Sequence, residues 1–373
     1  MAGTVALGVA AVTAPSATRT ALSRTWSPFV LVAGLLLIGE VAHEEGAFDR
    51  AAATAARLPG GEVVLLVALL GLAAAVTAVL NLDTSVAFLT PVLILTARRR
   101  KASVQPFVFG SLFMANAASL LLPGSNLTNL LVLGGEHISG ATFAARMFPA
   151  WVAAVVVTAG TVVAWGRFRD DDRDDATRAD DLDPGQATVR GYVGITAAVL
   201  AAVTMVALPS AALPVAAIAV LAVAVRLTQR RLGRSELQAT VDVPVLCGLF
   251  GLATALWSLA GTWSGPSHLM GHLSGWESAA AGALAAVALN NLPAAALLGS
   301  HAVAHPRALL LGLDLGPNLA VTGSLSALLW FQSARSVGFR PSPVTVSKVG
   351  AVLVPISMAA ALLALKIFAP GQL

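Results

Sequence analysis

The fold of this chain is limited above all by a series of apolar segments whose lengths approach the thickness of a lipid bilayer. A helix needs about 20 apolar residues to cross the hydrocarbon core. Only 11% of the 373 residues are charged, whereas soluble proteins carry about 25%. The sequence therefore predicts an all-α polytopic membrane protein and argues against a soluble enzyme or a nucleic-acid binder. The predicted spans are Pro28–Ala42, Phe107–Leu133, Phe148–Trp165, Tyr192–Leu208, Ala212–Leu227, Val243–Ala260, Leu309–Phe331 and Val344–Ile367.

Two other apolar stretches are interrupted by polar residues near their middle. The first covers about 62–97 and is broken at 81–85, and the second covers about 276–304 and is broken at 290–293. At a rise of 1.5 Å per residue, Val86–Thr96 would extend only about 18 Å, and the arms of the second stretch about 21 and 17 Å. We expect two re-entrant helical hairpins, because broken backbone at that depth has to line a cavity. The alternative for each stretch is a short full span with a polar kink.

The distribution of Arg and Lys supports this arrangement. If both stretches re-enter, the loops at 97–101, 167–190, 226–234 and 335–348 lie on one side and are rich in basic residues, whereas the opposite loops hold only Arg146 and Arg307. Basic loops favour the cytoplasmic side. We therefore expect a multi-pass protein of the cell inner (plasma) membrane, with 167–190 as a charged cytoplasmic linker. Residues 1–25 are expected to form a loose N-terminal tail.

The chain divides into two halves of similar plan, residues 26–166 and residues 191–373. Each half has an interrupted stretch with Asn at its tip, followed by a helix with a Gly-Ser break, at about 104–133 and about 307–333. In these helices Gly110 and Gly312 are followed six residues later by Asn116 and Asn318. The predicted hairpins open to opposite sides, so the repeats are inverted. Inverted repeats with interrupted helices are typical of secondary transporters whose site lies between the repeats.

Polar residues at the two tips and the two breaks form the candidate site. Their amides and hydroxyls, with the N-termini of half-helices, could bind a polyhydroxy or oxyanionic solute. A carboxylate deep in the membrane is costly and usually functional, so Asp83 and Asp314 are the candidates for binding a coupling proton or cation. The alternative for any single Asn, Ser or Thr is a helix cap or an interhelical hydrogen bond. The candidate substrate-binding residues are Asn81, Thr84, Ser85, Asn116, Ser125, Asn126, Thr128, Asn129, Asn290, Asn291, Asn318, Thr322 and Ser324, and Ser326 belongs to the same breaks.

These tips and breaks resemble a known family. The runs at 81–86, 122–129, 290–293 and 314–318 look like the signature stretches of the arsenical pump membrane proteins, in the same order. These pumps belong to the ion transporter superfamily, with sodium/proton antiporters and divalent-anion/citrate symporters. The resemblance covers about residues 26–368. It implies efflux of arsenite or antimonite by a small-solute transporter, driven by proton exchange or assisted by a cytoplasmic ATPase subunit, and it allows a homodimer. Family members usually carry further N-terminal helices, which the first half lacks.

Other substrates and other classes of protein stay open at this stage. The same machine could exchange sodium for protons or carry a di- or tricarboxylate, although the tips lack the Ser-Asn-Thr expected of a carboxylate importer. An intramembrane enzyme would need a nucleophile–base pair or a metal dyad, and no His lies within a predicted span. We therefore expect no enzyme, no metal site and no cofactor besides a coupling proton or sodium ion. Cys247 is the lone cysteine, so three thiolates cannot capture arsenic within one chain.

Overall fold

The protein is helical throughout the part of the chain that the computed structural model describes, which is residues 2–133, 138–167, 191–229, 242–301, 303–369 and 371. The helices of the first half are α1 (Ala2–Thr13), α2 (Pro15–Glu44), α3 (Ala47–Ala55), α4 (Glu62–Val79), α5 (Leu82–Arg99), α6 (Val104–Ala118), α7 (Leu127–Leu133) and α8 (Gly140–Arg167). Those of the second half are α9 (Val193–Ala207), α10 (Ala212–Thr228), α11 (Val243–Thr262), α12 (Gly265–His272), α13 (Gly275–Leu289), α14 (Asn291–Leu298), α15 (Pro306–Leu315), α16 (Leu325–Ser336) and α17 (Pro343–Phe368). The predicted linker at 167–190 lies outside the described residues after Arg167.

Among the described residues, five helices are long and apolar enough to cross a membrane, namely α2, α4, α8, α11 and α17. Their outer faces and those of α9 and α10 carry large apolar side chains that are mostly exposed, such as Val156, Leu221 and Ile367. Water would solvate so much apolar surface poorly, whereas lipid tails solvate it well. The prediction of an all-α polytopic membrane protein is confirmed.

The prediction of a loose N-terminal tail over residues 1–25 is wrong. Residues 2–13 form α1, and α2 begins at Pro15, well before the predicted start at Pro28. Two buried hydroxyl pairs join the first half of α2 to α11: Thr18 with Ser258 at 3.0 Å, and Thr25 with Thr254 at 2.8 Å. In the sequence these threonines look like residues of a tail. In the structure each of them is hydrogen-bonded to a residue of α11 that lies more than 200 positions later in the chain.

The first interrupted stretch is a hairpin, which we call hairpin 1 (residues 62–99). Its two ends lie together, because the Ser103 backbone N–H donates to the Glu62 carboxylate at 2.9 Å and the Arg100 guanidinium donates to the Ala56 carbonyl at 2.6 Å. Its tip, at Leu80 and Asn81, is buried in the protein. A loop between two full spans would reach the membrane surface, so a buried tip marks a re-entrant hairpin. The second arm, α5, is longer than predicted and extends about 27 Å by helical rise.

The second interrupted stretch, hairpin 2 (residues 275–298), breaks at Asn290. This residue has a positive φ of 81°, a conformation that Asn tolerates better than most residues. The second arm, α14, contacts α12, which directly precedes the first arm, so this stretch also turns back on itself. The arm ends at Leu298 and is shorter than the predicted stretch to residue 304.

Both predicted broken helices are present. Broken helix 1 consists of α6 and α7, separated by break 1 (residues 119–126), which contains a short 3-10 turn at Pro123–Ser125. Broken helix 2 consists of α15 and α16, separated by break 2 (residues 316–324) with two 3-10 turns. Pro123 and Pro317 lack a backbone N–H, so neither can continue an α-helical hydrogen-bond ladder.

The two hairpins enter from opposite ends of the molecule. Broken helix 1 begins beside the base of hairpin 1, where Ser103 meets Glu62. It ends beside the base of hairpin 2, where a Cβ added at Gly299 would lie only 2.9 Å from the Val132 side chain. The bases therefore lie at the two ends of one broken helix, and the repeats are inverted, as the sequence predicts.

A buried ion pair fixes the helices outside the hairpins at one end. The Glu45 carboxylate lies 3.5 Å from the Arg226 guanidinium, and both side chains are almost fully buried. The same carboxylate accepts hydrogen bonds from the first backbone N–H groups of α9, those of Val193 at 3.2 Å and Gly194 at 2.8 Å. An acid at a helix N-terminus is favourable, so Glu45 ties α2, α9 and α10 together.

Candidate functional site

The two broken helices cross at a pair of asparagines. The Asn116 amide nitrogen donates to the Asn318 amide oxygen at 2.7 Å, and both side chains are fully buried. These are the residues that follow Gly110 and Gly312 by six positions, so they hold the same place in the two repeats. The contact lies where the two repeats meet.

The tip of hairpin 1 is hydrogen-bonded to the start of α16, just after break 2. The Ser326 hydroxyl, in the first turn of α16, donates to the Asp83 carboxylate at 2.5 Å. Asp83 is half-buried, whereas its neighbours Asn81 and Thr84 are fully buried. Asp83 is thus the acid at this tip that an incoming solute or ion can reach.

Asp314 lies in a different environment. It is fully buried and accepts hydrogen bonds from three side chains of broken helix 1: Thr128 at 2.5 Å, Asn126 at 3.1 Å and Ser119 at 3.4 Å. Two of these donors are the end residues of break 1, and Thr128 lies in the first turn of α7. Asp314 therefore holds break 1 in shape and orients the Asn126 amide.

Four of the predicted residues cap the half-helices that begin at the centre. The side-chain oxygens of Asn81, Asn126, Asn290 and Ser324 accept from backbone N–H groups two or three residues later. Capping satisfies one of the backbone donors left free at a helix start. The other N–H groups of each first turn have no partner within the helix.

Other predicted residues tie tips to breaks through backbone carbonyls. Ser125 donates to the Ala78 carbonyl at 2.9 Å, which joins break 1 to hairpin 1. Asn290 and Thr322 join break 2 to hairpin 2, through the Thr322 and Val287 carbonyls at 3.2 Å each. Ser85 donates to Ala73, and Asn129 bridges the carbonyls of Ser119 and Leu122. These five residues shape the site and do not line it.

A central cavity of about 330 Å³ opens between the tips and the breaks. It is lined by the first residues of all four half-helices, so the topology brings four helix N-termini to one space. The lining residues at these N-termini are Asp83 of α5, Asn126 and Leu127 at the start of α7, Asn291 and Leu292 of α14, and Leu325 and Ser326 of α16. Of the predicted set, Asp83, Asn126, Asn291 and Ser326 therefore line the cavity directly.

The cavity runs away from the centre along α5 and α16. Its far part is lined by Phe88, Gln332 and Ser333, and it ends near Asp242, the N-cap of α11. Ser333 donates to the Ala87 carbonyl at 3.0 Å, so α5 and α16 run side by side along this wall. The cavity thus extends toward the base of hairpin 1 and not toward the base of hairpin 2.

The electrostatics of the central cavity are set by helix ends and by acids. None of its lining residues, all of which are described, is Lys or Arg, whereas Asp83 and Asp242 are acidic. Each helix N-terminus carries about half a positive charge. In addition, the buried Asn81 amide nitrogen has no hydrogen-bond partner among the described residues. The site offers positive dipole ends, amide and hydroxyl donors and one reachable acid beside the tip.

Sequence reasoning missed Ser119 and the residues along the wall of the cavity, Phe88, Gln332 and Ser333. Ser119 follows Asn116 by three residues and donates to the Asn116 carbonyl at 2.8 Å as well as to Asp314. Its position at the end of α6 was the signal that could have marked it. The wall residues lie in regular helix, where nothing local distinguishes them.

Two inverted repeats, two re-entrant hairpins and a cavity between their tips, lined by half-helix N-termini and by apolar side chains of α2 and α11, define a membrane transporter of the inverted-repeat class. The family model of the citrate transporters (CitMHS) matches residues 1–330, so this chain belongs to the citrate transporter family.

A likeness to a solved transporter structure agrees with this fold. The YdaH transporter of Alcanivorax borkumensis, whose topology is described as unusual, matches with a TM-score of 0.56 at 14% identity. The match covers 94% of this chain and 87% of YdaH, and at this identity it shows the fold alone. A search of the curated proteins found no match to the sequence. The ion transporter superfamily is confirmed, whereas its arsenical pump branch is not.

Proposed function

We propose that this protein carries a small di- or tricarboxylate across the plasma membrane together with cations that neutralise its charge. The observation that carries this proposal is the convergence of four half-helix N-termini on one cavity without a basic side chain. Helix N-termini bind carboxylates through free backbone N–H groups and a positive dipole end. The name of the family, citrate transporter, favours the same class of substrate.

The charges of the cavity explain why cations have to accompany the anion. The three half-helices of eight or more residues, α5, α14 and α16, together supply about +1.5 charge at their N-termini. An ionised Asp83, the acid beside these N-termini, reduces this to about +0.5, whereas Asp242 lies at the far end of the cavity. A fully ionised tricarboxylate carries −3 and a dicarboxylate −2. About two positive charges are missing, which one divalent cation, two sodium ions or two protons would supply. Asp83 is the acid placed to bind them.

The direction in which the cavity opens fits one step of a transport cycle. It extends toward the base of hairpin 1, beside Arg99 and Arg100, and basic ends favour the cytoplasm. We assign this conformation as the inward-facing state. In the outward-facing state the tip of hairpin 2 would have to open instead.

Arsenite efflux is the second candidate. Arsenous acid is a neutral trihydroxy solute near neutral pH, and a site of amides, hydroxyls and carboxylates without a cationic side chain suits it. Cys247 does not line the cavity, so a thiolate makes no contribution to either substrate.

Transport assays with the purified protein in liposomes test both candidate substrates. Labelled citrate, succinate and arsenite are offered with an imposed proton, sodium or magnesium gradient. We expect citrate or succinate to accumulate only when one of the cations is present. If only arsenite accumulates, arsenite replaces the carboxylate as the proposed substrate. If none of the three is transported, both proposals are overturned.

A further inference from the structure

A basic pocket of about 260 Å³ lies at the base of hairpin 1, between α3 and the end of α5. Arg57, Arg99 and Arg100 line it, and Asp49 is its one acidic residue. The pocket shares no lining residue with the central cavity, so it is a separate site.

The positive charge of this basic pocket is largely uncompensated. In the described part of the chain, the Arg57 and Arg99 side chains make no hydrogen bond or ion pair, and both are exposed. Arg100 donates to the Ala56 carbonyl at 2.6 Å, which fixes it against the end of α3. Two unpaired guanidinium groups and one fixed group thus surround a space that is large enough for several waters, each of which takes up about 30 Å³ in the liquid.

The lining of the pocket changes from basic at the end of α5 to apolar toward the middle of α5. Helix α3 is amphipathic: Phe48 and Ala52 are buried, whereas Ala53 and Thr54 are exposed. Short helices of this kind lie in the plane of the interface. Below the guanidinium groups the wall is apolar, formed by Val92 and Leu95 of α5. This order, with guanidinium groups at the surface and apolar side chains beneath them, matches that of a lipid headgroup followed by the start of its acyl chains.

We propose that the basic pocket binds a phosphate group, either that of an anionic lipid or that of a soluble phosphate. Guanidinium groups bind phosphate oxygens with two parallel N–H donors, and basic pockets between helices on the cytoplasmic side hold acidic headgroups. A phosphate held here joins α3 to the second arm of hairpin 1.

The test uses the full-length protein in detergent, with phosphatidylglycerol, phosphatidylcholine and inorganic phosphate as probes and native mass spectrometry as the readout. The variant is Arg57→Gln combined with Arg99→Gln, and Arg100 is kept because it contacts Ala56. The matched control is Arg340→Gln, an exposed arginine between α16 and α17. Each basic residue near a membrane surface changes affinity about fivefold, so the double variant should bind phosphatidylglycerol about 25-fold more weakly.

Three results support the proposal or overturn it. Preference for phosphatidylglycerol over phosphatidylcholine that is lost in the double variant and kept in the control supports a lipid headgroup. Binding of inorganic phosphate with the same dependence, without lipid preference, supports the soluble source. Equal loss in the control, or unchanged binding of both phosphate probes in a folded double variant, overturns the proposal.

Discussion

Thr128 and Ser326 hold the same place in the two repeats, and each donates a hydrogen bond of 2.5 Å to an aspartate of the opposite half. Each is the second residue of the half-helix that follows a break. The two acids are not equivalent, however, because Asp83 lies on a hairpin tip and faces the central cavity, whereas Asp314 lies in α15 and is fully buried. The two repeats therefore share one hydrogen-bonding pattern. They differ because the aspartate in the first half faces the cavity, whereas the aspartate in the second half is buried.

The Asp83→Asn substitution should remove cation coupling without unfolding the protein. Asn keeps an oxygen for the Ser326 hydroxyl but loses the charge that faces the cavity. Hydrogen bonds to a charged group contribute about 1.5–3 kcal/mol, or about 10- to 150-fold, and we expect cation-dependent transport in liposomes to fall by that factor. Glu62→Gln is the matched acid-to-amide change at the base of the same hairpin and should transport normally. Full coupling in Asp83→Asn would refute the assignment.

The Asp314→Asn substitution should act mainly on stability. The buried carboxylate accepts from Thr128, Asn126 and Ser119, and an amide offers only one oxygen to these donors. A buried donor left without a partner costs about 1–3 kcal/mol, so thermal unfolding in detergent should occur at a lower temperature than for wild type or Asp83→Asn. If Asp314→Asn is as stable as wild type but uncoupled, Asp314 is a coupling group, as the sequence predicts.

The Asn116–Asn318 contact should appear as a coupling energy in a double-mutant cycle. Alanine is introduced at each position and at both, and the unfolding free energies are compared. Side-chain hydrogen bonds in membrane proteins average about 0.6 kcal/mol and reach about 1.7, and we expect a value in that range. Asn116 paired with Asn290 serves as the control and should be additive. Additivity for Asn116 and Asn318 would show that the pair contributes nothing.

Alanine at the two equivalent glycines should have unequal effects. A Cβ at Gly312 would lie 2.0 Å from the Ala279 carbonyl oxygen, which is backbone, whereas one at Gly110 would meet the end of the Leu70 side chain at 2.8 Å. Backbone cannot move aside as a Leu side chain can, so Gly312→Ala should cost about 1–3 kcal/mol or more and Gly110→Ala less. Gly71→Ala, with no atom within 4 Å, should be neutral or stabilising, up to about 1 kcal/mol. Equal melting temperatures for all three variants would contradict the close packing of α13 on α15.

The sequence by itself determined the membrane class, the two interrupted stretches and the two breaks. These features are local: apolar length decides whether a helix can cross lipid, and Pro, Gly and Asn decide where it stops. The inverted order followed from the Arg distribution, which is also readable without a structure. The coupling ion, an ATPase subunit and a homodimer stay predictions.

Only the tertiary structure decided which polar residues face the central cavity and which act as caps. Asp83 and Asp314 look alike in the sequence, and their partners lie 243 and 186 to 195 residues away along the chain. The same holds for Thr18 and Thr25. Their hydrogen-bond partners on α11 hold a part of α2 that the sequence predicts to be a loose tail. Contacts at such separation depend on how helices pack, and the packing register of one sequence cannot be read from local patterns.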